Sequence, residues 1–195
     1  MIITGGKFKG RKIQVPDEKI TRPTLSKVRQ GVFNALFSLV DDFNGKIFVD
    51  LFGGSGVMGL EALSRGFKNV IVCEKNMKAV QIIKKNYSEL GLKPELKIGD
   101  SLTLIDRVDK NVDVVYIDPP YYSGIYETIF EKIKLNQFFQ DSIVVVEHSE
   151  PLKIEEFELI KEKNYGGKLV SFCINSPSSE LRSLSEKRDI RKFKI

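Results

Sequence analysis

Five short apolar runs, each closed by an acid, set the tightest limit on what this chain can fold into. They are Lys46-Ile-Phe-Val-Asp50, Asn69 to Glu74 (NVIVCE), Glu95 to Ile98 with Asp100 just beyond, Val112 to Ile117 followed by Asp118, and Ser142 to Glu147 (SIVVVE). Nearly continuous apolar runs of this length read as strands covered on both faces. Between them lie stretches of helical character. One runs from Val57 to Arg65 and stops at Gly66. Another is capped by Asn76, has Val80, Ile83, Tyr87 and Leu90 on one face, and stops at Gly91. A third spans Tyr126 to Ile133. Strand–helix alternation predicts an α/β fold with a mostly parallel sheet and helices on both sides. Phe157 to Lys163 and Lys168 to Ile174 flank Asn164-Tyr165-Gly166-Gly167, a hairpin signal that adds an antiparallel strand on one side. A helix from about Leu25 to Val40, with Val28, Val32, Leu36 and Val40 apolar, precedes the sheet.

In an open α/β sheet, ligands bind beyond the carboxyl ends of the strands, near the point where strand order reverses. Asp50, Glu74, Asp100, Asp118 and Glu147 all fall on that rim, and the first four read together as a ligand site. Glu147 reads equally well as a supporting or capping residue. The loop after the first strand is Phe52-Gly53-Gly54-Ser55-Gly56-Val57-Met58-Gly59, and residues 54–59 spell G-x-G-x-x-G. Glu74 lies where an acid would meet ribose hydroxyls. Glycines allow close backbone approach, and amides at a helix start can face a ligand, so the pattern predicts a nucleoside cofactor. Taken alone it does not choose between NAD and S-adenosylmethionine. Asp50, directly before the loop, favours S-adenosylmethionine: an acid there can serve an ammonium group but sits badly near a pyrophosphate.

Asp118-Pro119-Pro120-Tyr121 ends the most apolar strand. Two prolines fix φ and remove two backbone donors while keeping their carbonyls. The Pro119 carbonyl beside the Asp118 carboxylate offers two acceptors to one –NH₂ group, and Tyr121 offers a flat face to a planar base. Two acceptors can hold an exocyclic amine and aim its lone pair. Methyl transfer from a sulfonium then needs mainly alignment.

Charge is unevenly placed. Residues 1–29 carry Lys7, Lys9, Arg11, Lys12, Lys19, Arg22, Lys27 and Arg29 against Asp17 and Glu18, a net +6, while the whole chain is +5. A nearly neutral body with a basic arm points to a polyanionic partner. Lys27 and Arg29 fall in the first turn of the Leu25 helix, where a bound phosphate would offset their unfavourable interaction with the helix dipole. The two cysteines, Cys73 and Cys173, lie in apolar runs and read as buried thiols. His148 is the only histidine, so neither a metal site nor a serine-type triad is expected. With no apolar stretch of signal-peptide or membrane-spanning length, the cytoplasm is the expected location, without membrane association.

The run from Asp50 to Gly66 (DLFGGSGVMGLEALSRG), Asp118-Pro-Pro-Tyr121, and Arg22-Pro-Thr24 followed by Val28-Arg29 resemble the RsmD-type family. The resemblance extends from about Met1 to Ile174. It implies a Rossmann-like S-adenosylmethionine methyltransferase fold with a seven-stranded sheet, acting on N2 of a guanine in 16S ribosomal RNA or the small-subunit particle. It also places Arg22-Pro-Thr24 near the active site. Gly53 stands where the family more often has alanine, and Ser176 to Ile195 runs past the usual end. Asp118, Pro119, Pro120 and Tyr121 are the expected catalytic residues. Asp50, Glu74, Asp100 and Asp118, with Phe52, Gly53, Gly54, Ser55, Gly56, Lys75 and Ser101, form the expected cofactor-binding set. Lys7, Lys9, Arg11, Lys12, Arg22, Lys27 and Arg29 form the expected RNA clamp. The division expected is a basic arm and helix (1–40), a catalytic domain (41–175) and a basic tail (176–195), in a monomer. The rivals are a DNA adenine-N6 or protein glutamine methylase, an NAD-dependent oxidoreductase, and a non-catalytic RNA-binding module. The oxidoreductase leaves Asp-Pro-Pro-Tyr unexplained. No sizeable DNA target-recognition segment is visible between Tyr121 and Ser142.

Overall fold

The computed structural model describes residues 1–16, 26–120, 124–150, 152 and 157–175. Arg22, Tyr121 and the tail 176–195 lie outside the described residues. In chain order the elements are α1 (Ser26–Val40), β1 (Ile47–Asp50), α2 (Val57–Ser64), β2 (Asn69–Glu74), α3 (Met77–Ser88) and β3 (Glu95–Ile98). They continue with α4 (Ser101–Ile105), β4 (Val114–Ile117), α5 (Tyr126–Leu135), β5 (Ile143–His148), β6 (Glu158–Asn164) and β7 (Leu169–Ile174). The strands form one seven-stranded sheet in the order β3-β2-β1-β4-β5-β7-β6. The first five are parallel, and β7 lies antiparallel between β5 and the edge strand β6. The fold is the Rossmann-like α/β sheet with a C-terminal antiparallel hairpin. No helix among the described residues is long and apolar enough to cross a membrane.

The period of two along each buried strand divides the interior into two layers. Phe48, Val70, Val72, Val114, Tyr116, Ile143 and Val145 pack with α1, α2 and α3. Val49, Ile71, Cys73, Val115, Ile117, Val144 and Val146 pack with α4 and α5. On the first side, Phe33, Phe43, Phe48 and Phe67 stack edge to face or in parallel, with centroids 4.6–6.3 Å apart. Both thiols are free and buried, and burial pushes Cys73 and Cys173 up to about 12.

The arm is part of this packing. Residues 1–16 fold back through a bridge between Ile2 and Lys12, with Ile3 N–H donating to Arg11 O at 3.0 Å. Ile3 and Ile13 share the core layer with Val28, Val32 and Leu36 of α1. The arm docks on the end of α2. Lys7 N–H donates to Ser64 O at 2.8 Å, and the Ser64 hydroxyl donates to Gly5 O and accepts from Phe8 N–H. Gly6 has φ 74°, and a Cβ there would fall 1.8 Å from Ser64 O, so only glycine allows this approach.

Beneath the arm lies a buried ionic network. Glu61 and Arg29 are both fully excluded from solvent, with Arg29 Nε 3.2 Å from Glu61 Oε1. Arg29 Nη2 also donates to Ile2 O (2.7 Å) and Ser26 Oγ (3.1 Å). The same Glu61 oxygen accepts from Thr4 N–H at 2.8 Å, and the other meets Arg65. This corrects the expectation that Arg29 contacts phosphate: its guanidinium is turned inward onto Glu61. A buried charge stripped of its partner costs about 3–5 kcal/mol. Glu61→Ala, which strands Arg29, is expected to destabilise the protein by about that amount in urea unfolding. Lys27→Ala, at an exposed position two residues away, is expected to change stability by no more than about 0.5 kcal/mol.

Candidate functional site

β1 and β4 are neighbours, and the chain leaves them in opposite directions across the sheet. The crevice at their carboxyl ends is the switch point of the fold. Asp50 ends β1 and Asp118 follows β4, so these two acids face the crevice side by side. Glu74 ends β2 and Glu147 sits in β5, extending the row outward on either side.

The Asp50 carboxyl is buried, accepting Phe52 N–H at 3.2 Å. Its pKa is pushed up to about 8, chiefly by desolvation, with the Phe52 hydrogen bond pulling down and the neighbouring Asp118, Glu74 and Glu147 adding to the rise. No basic side chain among the described residues pairs with it. An ionised Asp50 would thus lack a counter-charge among the described residues.

The glycine loop is held from behind. Gly53 N–H donates to Cys73 O at 2.8 Å, Gly54 N–H to Glu74 Oε2 at 2.7 Å, and Gly56 N–H to Gly53 O at 2.7 Å. Each of these three loop N–H groups is committed within the protein. A pyrophosphate would find those donors taken and carboxylates nearby, which disfavours the dinucleotide reading. Gly53 packs on β2, and a Cβ there would approach Val72 Cγ1 to 2.4 Å; that contact suits glycine where alanine is commoner.

Glu74 does structural work as well as facing the site. Its second oxygen accepts Asn76 N–H at 2.7 Å, just ahead of the Asn76 cap on α3. Asn86 and Tyr87, one helix away, complete the support. Asn86 is fully buried, and its amide donates to Ser55 O and Gln14 O, both at 2.9 Å, while accepting Gln14 N–H at 2.8 Å. Tyr87 Oη donates to Gly56 O at 3.3 Å. No sequence motif pointed to Asn86; it bridges the arm and the loop across 72 and 31 residues of chain.

Asp100 caps α4 through Leu102 N–H at 3.0 Å and lies 3.8 Å from the exposed Lys75. Ser101 is buried, and its hydroxyl donates to Leu51 O, so it braces β1. Phe52 is half-buried beside the second core layer. On the acceptor side, Pro119 is buried and Pro120 exposed, while Tyr126 Oη donates to Glu147 O at 2.9 Å. Lys168, unremarked by any motif, lies 3.1 Å from Asp118 Oδ1 and also meets Glu147. His148 faces the hairpin, with Nε2 2.8 Å from Ser171 Oγ and Nδ1 2.7 Å from Glu150 O. Lys7, Lys9, Arg11, Lys12 and Lys27 are exposed, and Lys7 covers the Phe8 ring at 4.7 Å.

A carboxylate accepting two backbone N–H groups carries about 1.5–3 kcal/mol per charged hydrogen bond. Glu74→Ala is thus expected to lower the stability of the ligand-free protein by at least that much, measured by urea unfolding. An unchanged midpoint would mean that the loop holds its shape without Glu74.

Known proteins resemble this chain in sequence and fold. The chain is 30% identical over 149 residues to Ribosomal RNA small subunit methyltransferase D of Escherichia coli, covering 76% of this chain and 74% of that one. It is 29% identical over 173 residues to the protein of the same name from Haemophilus influenzae, covering 84% and 88% respectively. The solved structure of the Escherichia coli protein yhhF superposes with a TM-score of 0.77 at 25% identity, covering 90% of this chain and 98% of that one. The family described as Conserved hypothetical protein 95 matches residues 1–174. The match covers most of the chain, and the chain belongs to this family, the RsmD type.

Proposed function

We propose that the protein transfers a methyl group from S-adenosylmethionine to the exocyclic N2 amine of a guanine in small-subunit ribosomal RNA. The observation that carries this reading is the pairing of a buried, cation-seeking Asp50 with an acceptor carboxylate, Asp118, across the switch point of the sheet. The donor set fits the cofactor. Asp50 matches its ammonium group, and Glu74, at the end of β2, has lone pairs left over for ribose hydroxyls. When bound, the cofactor supplies an electrophilic methyl carbon on a sulfonium. The chain's own part is then alignment. Asp118 accepts an N–H of the guanine amine, the Pro119 carbonyl is the second acceptor, and Tyr121 stacks on the base. Residues 41–175 perform this chemistry, and Lys7, Lys9, Arg11, Lys12 and Lys27 follow the RNA backbone. The relatives named for ribosomal RNA, and the positive charge gathered at the chain start, favour RNA over DNA.

Asp118→Ala is expected to abolish methyl transfer while leaving cofactor affinity within a few-fold. Turnover on ribosomal RNA, alongside calorimetry with S-adenosylmethionine, measures both. Nucleoside digestion and mass spectrometry of ribosomal RNA from cells with and without the gene should show N2-methylguanine falling. If that base stays constant while N6-methyladenine disappears, the acceptor is wrong.

The raised pKa of Asp50 gives a pH signature. In the free protein the carboxyl is neutral below about 8, and an arriving ammonium favours the ionised form. Binding therefore releases a proton below that pH, and affinity is expected to fall by up to about tenfold per unit as pH drops from 8. Calorimetry in buffers of different ionisation enthalpy counts the proton. Asp50→Asn should bind weakly, with no such slope. A wild type whose affinity is flat from pH 6 to 8 would detach Asp50 from the ammonium.

A further inference from the structure

Lys168 is the last residue before β7, following the Gly166-Gly167 turn. The parallel strands all end at the ligand rim, and an antiparallel strand begins there. The β5–β7 register sets His148 opposite Leu169, so Lys168 lies just beyond the carboxyl end of β5. Its ammonium lies 3.1 Å and 3.3 Å from the two oxygens of Asp118. It also meets Oε2 of Glu147, whose other oxygen takes the Tyr116 hydroxyl. Glu147 is sealed from solvent, whereas the Asp118 and Lys168 side chains are 24% and 22% exposed. The charges thus run outward from a buried acid, through one cation, to an acid at the mouth of the crevice.

We propose that Lys168 is a positioning residue for methyl transfer, gripping both oxygens of Asp118 so that the carboxylate meets the acceptor amine in one orientation, while Glu147 anchors the ammonium from below. This rests on the function proposed above. A lysine side chain has four flexible bonds, and only a fixed counter-charge holds its tip in place. Glu147, which burial pushes up to about 7 against the pull of Lys168, supplies that charge when ionised, with Tyr116 and Tyr126 holding it in turn.

The electrostatics agree with the geometry. Asp118, Glu147 and Asp50 crowd one rim with mutual repulsion. Among the described residues Lys168 is a cation facing Asp118 and Glu147, and Asp50, Tyr116 and Tyr165 are further titratable groups facing Glu147. Burial disfavours the Lys168 charge, yet the two carboxylates more than offset this and raise its pKa. A protonated Asp118 would be a donor at one oxygen and could no longer accept the amine N–H there. The Lys168 charge, 3.1 Å and 3.3 Å from those oxygens, favours the accepting form of the carboxylate.

The test compares wild type, Lys168→Met, Lys168→Arg and Glu147→Gln in steady-state methylation of ribosomal RNA across pH, with S-adenosylmethionine affinity measured on each. Misplacing a reacting group by about 1 Å can cost on the order of 10²-fold. Lys168→Met is expected to lose on the order of that factor in kcat. Its cofactor affinity should be unchanged and the acid limb of its pH profile displaced upward. Lys168→Arg should recover most of the rate, and Glu147→Gln should fall between. Wild-type turnover in Lys168→Met overturns the proposal. So does a lowered rate with an unmoved acid limb and no recovery by arginine, the pattern of a merely structural contact. If Lys168→Met unfolds at the assay temperature, the profiles of Lys168→Arg and Glu147→Gln carry the same test. A wild type that binds the cofactor but methylates no RNA guanine overturns both this proposal and the function it rests on.

Discussion

A parallel sheet delivers the carboxyl end of every strand to the same edge, and this constraint governs the molecule. It brings Asp50, Glu74, Asp118 and Glu147, scattered over nearly a hundred residues of chain, into one row. Row and crevice share a cause: strand order reverses between β1 and β4, and the helices leaving those strands part on opposite faces. Like charges so close would weaken the fold if all were ionised and unpaired. The structure deals with each differently. Burial pushes Asp50 up to about 8, Glu74 takes two backbone donors, and Asp118 and Glu147 share one lysine.

The strands and the sheet class were legible in the sequence because apolar runs with β-branched residues leave few alternatives. NVIVCE maps onto β2 without adjustment, and SIVVVE misses β5 by one residue at each end. What escaped notice was short or distant. The five-residue α4 is too brief to show a helical period, and Gln137–Phe139 is a single tight turn. Lys168 could not be read as a partner of Asp118, since 50 residues separate them and only the antiparallel return of β7 brings them together. Asn86 looks like one more polar residue on an amphipathic helix; its buried bonds arise from the arm crossing over α3.

Arg29 shows where counting charge goes wrong. It adds to the basic total of the first 29 residues, yet its guanidinium belongs to the interior. Glu61, Arg29, Arg65 and Thr4 join α2, α1 and the arm in a polar knot within an otherwise apolar layer. Such a knot tolerates only one geometry. It fixes the start of α1 relative to α2, and α2 begins at the glycine loop. The exposed lysines of the arm are therefore mounted on a base fixed to the C-terminal end of α2.

Asn86 gives this mounting a second meaning. One amide side chain closes a hydrogen-bonded ring with Gln14 on the arm and also carries the Ser55 carbonyl of the glycine loop. The first sixteen residues are thus tied to the back of the glycine loop through one side chain. A chain clipped within that stretch would lose positive charge and, with it, the template against which the loop is cast. Any change in the arm is therefore also a change in what holds the loop in shape.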